Sequence, residues 1–367
     1  MKQDRQPTAE RILQALGKVM DPELGRDLVS LGMIEKLQIE GDAVSFDLVL
    51  TTPACPLKKQ IEESCREAVL SVPGVKKVSV NVTSRVKGHY SDSDEENLLP
   101  AVKNTIAVAS GKGGVGKSTV AVNLAVALAQ SEAKVGLMDC DVYGPSVPVM
   151  MGVERQPEIR DRKLVPLERY GVRMMSLGFL MEKDTPVIWR GPLVTKALKQ
   201  MLEDVDWGEL DYLVMDMPPG TGDVPLTISQ SVPLTGAVIV TTPQDVALVD
   251  ASKGTAMFVK VNVPVLGIVE NMSFFECPKC GHRTDIFRHG GGRRESERLG
   301  VPFLGEIPID AEVAEGGDEG MPVVSGRPES AAARAFLKVA GTVAASISVT
   351  YHEAEVAGRE KGRTSDD

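Results

Sequence analysis

The chain has no excess of positive charge, few cysteines and no long apolar run. Lys and Arg number 41 against 51 Asp and Glu, a net charge of −10 over 367 residues. A general nucleic-acid binder carries a basic excess, because contacts to phosphate supply most of its affinity. That class is excluded, although a local basic patch is not. Five cysteines in a chain of this length are no disulfide framework. No apolar run reaches the ~20 residues that span a bilayer. Residues 1–10 hold no signal-peptide core, and residues 351–367 lack the bulky apolar face of a membrane-surface helix. The expectation is a soluble, cytoplasmic protein that engages neither membrane nor nucleic acid. No internal repeat is present.

What is there reads as globular: 43% hydrophobic and 25% charged residues. The length suits two domains at ~100–200 residues each. An acidic, serine-rich stretch at 91–97 has no apolar period and marks a linker over 85–101. It separates a small domain (1–84) from a large one (102–345), with a polar C-terminal tail at 346–367. In the small domain, Ile12, Leu13, Leu16 and Val19 give helical spacing over 8–20. Residues 33–39 and 44–50 read as strands around a Gly41-Asp42 turn, 56–69 as a helix and 75–82 as a third strand. The order α-β-β-α-β makes a compact α+β domain. The large domain alternates apolar runs (105–110, 135–139, 172–177, 212–216, 237–242, 265–271, 303–307) with helical segments such as 118–130 and 194–202. That alternation predicts an α/β fold, a parallel sheet covered on both faces. Ligands of such sheets bind at the carboxyl ends of the strands.

The first of these strands runs into Gly111-Lys112-Gly113-Gly114-Val115-Gly116-Lys117-Ser118, followed by Thr119. This is G-x-x-x-x-G-K-[ST] between a strand and a helix, the context that a P-loop needs. Glycines let several backbone N–H groups converge on phosphate oxygens, and the helix adds its positive end. Lys117 is expected to reach the outer phosphates and Ser118 to hold Mg²⁺. The run 213–216 is apolar and ends in Asp216, a second carboxylate for Mg²⁺ through water. Asp139-Cys140-Asp141 ends the neighbouring strand, where a carboxylate can orient an attacking water. Cys140 reads as a packing residue. Asn271 ends another strand with both a donor and an acceptor.

Cys277-Pro278-Lys279-Cys280-Gly281 brings two thiolates to one loop, enough to hold part of a metal or cluster site. Four ligands are usual, and no second C-x-x-C exists. His282 and His289 are near enough in sequence for a single-chain zinc site, although His282 follows Cys280 closely. Two-fold dimerisation offers another solution, two thiolates from each chain around one cluster. A redox disulfide is the third alternative.

The loop, with its second lysine Lys112, resembles the deviant Walker A class that includes Min and Par proteins, nitrogenase iron proteins and Mrp/ApbC carriers. That resemblance implies an ATP site in which Lys112 reaches across a dimer to the partner's nucleotide. It also implies that Asp141, with Lys112 and Lys117, is catalytic and that Asn271 reads the adenine edge. Together, GKGGVGKS, DCDVYGPS, MDMPPGTGD, ENMSFF-x-CPKCG and GEIPID, within 104–338, resemble the Mrp/ApbC family of iron–sulfur cluster carrier ATPases. The family implies a homodimer that hydrolyses ATP with Mg²⁺. It carries a [4Fe-4S] cluster on Cys277 and Cys280 of both chains, between scaffold or donor proteins and apo iron–sulfur proteins. One departure is the loop from His289 to Arg294, which keeps the family's glycines between more basic flanks. The small domain is similar to the PaaD/SufT type at Asp21-Pro22-Glu23-Leu24, Leu31-Gly32-Met33-Ile34 and Thr51-Thr52-Pro53-Ala54-Cys55-Pro56. Cys55 precedes a helix, whose dipole favours a thiolate, so a cluster-transfer or partner contact is expected there. The bland alternative is a packing residue. Two rival functions are a Min/Par-type switch or positioning ATPase, disfavoured by CPKCG, and a zinc-linked scaffold, disfavoured by the full set of nucleotide residues.

Overall fold

A computed structural model describes residues 6–88, 98–180 and 191–364. The acidic stretch at 91–97 and the last three residues lie outside the described residues. The chain divides into two compact units, Met1–Lys87 with Ala344–Asp367, and Gly88–Val343.

The first unit follows the predicted order. Its opening helix, Ala9–Leu16, is capped by Thr8, whose Oγ1 accepts from Arg11 N at 3.4 Å, and it buries Ile12 and Leu16 one turn apart. A short ribbon pairs Met20–Asp21 with Arg26–Asp27. Ile34–Glu40 and Ala43–Leu50 pair antiparallel, and Lys77–Ser84 lies parallel on the other side of Ala43–Leu50. Alternation along the central strand turns Val44, Phe46, Leu48 and Leu50 into the core. Helix Lys58–Leu70 covers them with Ile61, Cys65 and Val69, again at four-residue spacing. The small domain runs slightly past its expected end. Arg85 N donates to Leu50 O at 2.8 Å, its guanidinium meets Glu35 at 2.8 Å, and Val86 is buried. Residues 85 and 86 are therefore part of the folded unit rather than linker.

The expected polar tail is also corrected. Residues 346–364 continue a helix, Ala331–Thr364. Ile347 is buried, and Lys87 stands 5.1 Å above the Tyr351 ring. Charged residues gather toward the end of this helix, so composition hid an apolar face that runs from Ala332 to Ile347. Ala331–Glu355 is long and apolar enough to cross a membrane by length and composition, a property averaged over a window that no uninterrupted apolar run displays. Just over half of that window, 56%, is buried inside the protein, as in a core helix.

The second unit is built on an eight-stranded sheet. From one edge the strands are Leu167–Arg169, Val172–Ser176, Val135–Asp139, Leu210–Asp216, Val102–Ala109, Gly236–Thr241, Val265–Glu270 and Phe303–Glu306. All neighbours are parallel except Leu167–Arg169, an antiparallel edge strand too short and too polar to show in the sequence. Central strands are buried almost without interruption, as a sheet covered on both faces requires. The chain leaves Val102–Ala109 in one direction for Val135–Asp139 and later crosses it to Gly236–Thr241. That reversal opens the ligand crevice at the carboxyl end of Val102–Ala109.

Leu48→Ala removes a completely buried side chain from the first unit's central strand. It is expected to destabilise that unit by about 2–5 kcal/mol. Residues 1–87 and 344–367 contain no tryptophan, and Trp207 is buried in the second unit. Denaturant unfolding followed by circular dichroism should therefore shift, while the tryptophan fluorescence transition stays in place.

Candidate functional site

The loop after Val102–Ala109 turns through two left-handed glycines, Gly114 (φ 81°) and Gly116 (φ 79°), directly into helix Lys117–Gln130. Only glycine adopts that backbone readily. A methyl group on Gly116 would also lie 2.2 Å from Asn271 Nδ2, and one on Gly111 would lie 2.1 Å from the Asp250 carbonyl oxygen. Both glycines are therefore required by close approach. Lys112, with Gly113 and Gly114 after it, sits on the outer part of the loop; Ser110 Oγ donates to Lys112 O at 2.8 Å. Val115 is buried, whereas Ser118 and Thr119, in the first helical turn, are half-buried.

Lys117 is 6% exposed, and its Nζ meets three groups: Asp216 Oδ1 in a short contact, Ser118 Oγ at 3.3 Å and Asp141 Oδ2 at 3.9 Å. Asp216 and Asp139 are paired in register as the last residues of adjacent parallel strands. Burial first, and then the Asp216 charge, raise the Asp139 carboxyl well above its ordinary value. Asp141 is raised as well, mainly by burial, while the Lys117 ammonium pulls it back down. Among the described residues Asp216 Oδ2 is buried and has no hydrogen-bond partner, an orphaned oxygen on the carboxylate whose Oδ1 meets Lys117. The residues present thus fit a hydrated divalent cation.

Asp139 is the residue that sequence reasoning missed. Its Oδ1 accepts from Asp141 N at 3.1 Å, and its Oδ2 accepts from Ser176 Oγ at 3.0 Å and Val147 N at 3.3 Å. It therefore fixes both ends of the segment that carries Asp141. A D-x-D at a strand end was the only available signal, and it does not say which aspartate turns inward. Cys140 is completely buried, with its thiol pushed well up by burial, as a packing residue should be.

Asn271 Nδ2 donates to Val115 O of the loop at 2.9 Å. The side chain braces the P-loop, leaving its oxygen and second amide hydrogen for any ligand.

From Asn271 the chain passes through Met272 and Ser273 into a small antiparallel ribbon, Phe275–Glu276 with Arg283–Thr284. Cys277 and Cys280 occupy its tip. The turn is closed by Gly281 N to Cys277 O at 2.8 Å and Cys277 N to His282 O at 2.9 Å, with Gly281 at φ 68°. Both thiols are free; Cys277 is half-buried and Cys280 exposed. Backbone N–H groups of Lys279 and Cys280, then the Cys280 side chain, lower the Cys277 thiol below its ordinary value. His289 is directed elsewhere, with Nε2 2.7 Å from Glu306 Oε2. Among the described residues, the two cysteines do not gather a third Cys, His, Asp or Glu into a metal-sized group.

In the first unit, Cys55 is half-buried, and the following helix begins only at Lys58. Burial pushes its thiol up to about 11, and the nearby Glu23 and Asp21 carboxylates add to the rise. N–H groups of Leu57 and Lys58 counter this only in part. At this helix start, desolvation outweighs the helix end. Glu23 is itself raised to about 7, by burial and by Asp21.

The family description "NUBPL iron-transfer P-loop NTPase" matches residues 101–344, and "Iron-sulfur cluster assembly protein" matches residues 9–82. The chain is 51% identical, over 348 residues, to the iron-sulfur cluster carrier protein of Synechocystis sp., covering 93% of this chain and 98% of that protein. A nucleotide-binding protein from Archaeoglobus fulgidus, solved in complex with ADP, superposes with a TM-score of 0.56 at 42% identity, covering 63% of this chain and 91% of that one. The cell division ATPase MinD of Pyrococcus furiosus superposes with a TM-score of 0.50 at 25% identity, covering 65% and 98%.

The thiol chemistry yields a direct prediction. Iodoacetamide near neutral pH, followed by peptide mass spectrometry, should label Cys277 before Cys55, because the thiolate is the nucleophile. Cys65 and Cys140, both buried, should stay unlabelled until the chain unfolds. Labelling of Cys55 ahead of Cys277 would contradict the two environments.

Proposed function

The chain belongs to the NUBPL iron-transfer P-loop NTPase family, and from that membership we propose an ATP-hydrolysing carrier that holds an iron–sulfur cluster on Cys277 and Cys280 and passes it to apo-proteins. One observation carries this reading. A single short segment leaves the sheet at Glu270, braces the P-loop with Asn271 and ends in the Cys277 turn. Nucleotide loop and thiols therefore share one element.

Gly111 to Thr119 would wrap the phosphates with backbone N–H groups. Lys117 would exchange its contact with Asp216 for the outer phosphates, where a fixed cation stabilises charge that develops on transfer. Mg²⁺, when bound, neutralises phosphate charge, and Ser118 Oγ and Asp216 Oδ2 are the groups that would hold it. Asp141, kept basic by burial, would orient the attacking water. Lys112 lies on the outer loop, where it would meet the nucleotide of a second copy.

The cluster is cargo. Cys277 is eased toward thiolate by the N–H groups of its own turn, which suits a metal-binding sulfur. Two thiols per chain would make four around a two-fold axis, enough for a [4Fe-4S] cluster shared by a homodimer. Donor or scaffold proteins would load it and apo iron–sulfur proteins would receive it.

Anaerobic reconstitution with iron and sulfide, with dimer mass from light scattering, tests the reading. About two irons and two sulfides per chain are expected, with loss of the cluster in Cys277→Ser or Cys280→Ser and ATP binding retained. Four irons on a monomer, or a colourless protein with one zinc per chain, would overturn it. Lys117→Ala is expected to slow ATP hydrolysis by roughly 10²–10³-fold, and Asp141→Asn to slow turnover while sparing nucleotide affinity. Unchanged steady-state rates in both variants would remove these roles.

A further inference from the structure

At the other side of the sheet's carboxyl edge, Glu270 and Glu306 end adjacent parallel strands and are paired in register. Like charges directly opposite one another are destabilising in a sheet, and Glu270 is completely buried. The third member of the group is His289, from the loop with the basic flanks Arg288, Arg293 and Arg294. One oxygen from each glutamate and one imidazole nitrogen lie within 4.8 Å of one another. We propose that Glu270, His289 and Glu306 form a binding site for a divalent first-row transition-metal cation, separate from the thiols and from the nucleotide's Mg²⁺.

The donor set suits that class. Imidazole together with carboxylates favours Zn²⁺, Fe²⁺, Mn²⁺ or Co²⁺ over a thiolate-seeking metal. Three protein ligands leave the remaining positions to water. The surroundings hold the ligands in orientation as outer partners of metal sites do. Ser273 Oγ donates to Glu270 Oε1 at 2.6 Å and lies 3.4 Å from Glu306 Oε2. Gly290 N donates to Glu270 Oε1 at 3.0 Å, and Gly292 N donates to Oε2. The glycines of this loop fit closely: a methyl group on Gly292 would lie 3.0 Å from Glu270 Cβ, and one on Gly291 would lie 2.8 Å from Pro243 O. Phe274 meets the imidazole edge-on, with ring centroids 6.5 Å apart. The cation at hand is Arg283, whose Nη1 is 3.8 Å from Glu306 Oε1 while its guanidinium stacks on Phe274. It faces the oxygen that His289 does not use, so His289 and a metal would compete for Glu306 Oε2 while Arg283 kept its own contact. Metal binding at Nε2 replaces the hydrogen bond between His289 and Glu306 and releases whatever proton that nitrogen carries.

Cobalt(II) is the probe, used on the full chain with Cys55, Cys277 and Cys280 replaced by Ser and with excess Mg²⁺ present to occupy the Asp216 region. Calorimetry is expected to give about one Co²⁺ per chain, and X-ray absorption of the bound ion to show imidazole nitrogen and oxygen donors with no sulfur. His289→Ala and Glu306→Gln should each weaken the affinity by more than about tenfold, and Ser273→Ala by about tenfold. Thermal unfolding and ATP-analogue binding of these variants report whether they remain folded. The absorption readout needs no variant, so a misfolded His289→Ala chain leaves the proposal testable. Absence of stoichiometric cobalt, a shell without imidazole, or equal affinity in folded His289→Ala and Glu306→Gln chains would overturn the site and leave His289 and Glu306 as a simple hydrogen-bonded pair. Replacing Cys277 and Cys280 makes this outcome independent of whether a cluster binds at those thiols.

Discussion

One buried ammonium, Lys117, balances the carboxylates on which the nucleotide end of the sheet depends. Parallel pairing sets Asp139 and Asp216 side by side at the ends of two fully buried strands. Two carboxylates cannot both be charged there without a cation, because burial and mutual repulsion favour the protonated forms. Lys117 meets Asp216 directly and approaches Asp141 to 3.9 Å. Removing one partner of such a buried pair typically costs 3–5 kcal/mol, since the other charge is left uncompensated. The P-loop can deliver this lysine only because Gly114 and Gly116 turn the chain sharply into the helix.

Asp139 then does locally what the sheet does globally. Its carboxylate accepts from Asp141 N and Val147 N, so the chain between them is held by one side chain that itself stays out of solvent. The opposite side of the crevice repeats the device with other chemistry. Glu270 and Glu306 are also register partners at strand ends, and there the compensation comes from the N–H groups of Gly290 and Gly292, from His289 and from Arg283. Asn271 and Ser273 lie on the segment between the two charge clusters, one touching the P-loop and the other touching both glutamates. This segment continues into the Cys277 turn, so the thiols are built on the same rigid edge as the phosphate loop.

Elements with a strong local cause were legible. The parallel strands show as apolar runs because both of their faces are covered, and the P-loop and C-P-x-C-G turn show because glycine spacing and thiol spacing are themselves the geometry. The misses have physical reasons too. Leu167–Arg169 is a three-residue edge strand that carries polar residues, so it has no run to see. The polar composition of the last residues masked a helix stabilised by its packing at Ile347 and Tyr351. The Cys55 environment was only half legible, because proximity to a helix start is visible in sequence, whereas desolvation by a folded core is not.

By itself the sequence determined the α/β class, the small α+β unit before it, the phosphate-binding loop and the two thiols of one turn. These rest on periodicity and on residues close together in the chain, where spacing alone fixes geometry. Only the tertiary structure decided which aspartate organises the segment that carries Asp141, that Asn271 hydrogen-bonds the loop at Val115, and that Glu270, His289 and Glu306 converge. Those facts depend on strand order and register, set by the packing of segments far apart in sequence. A one-residue shift in that register would turn the same carboxylates to opposite faces of the sheet.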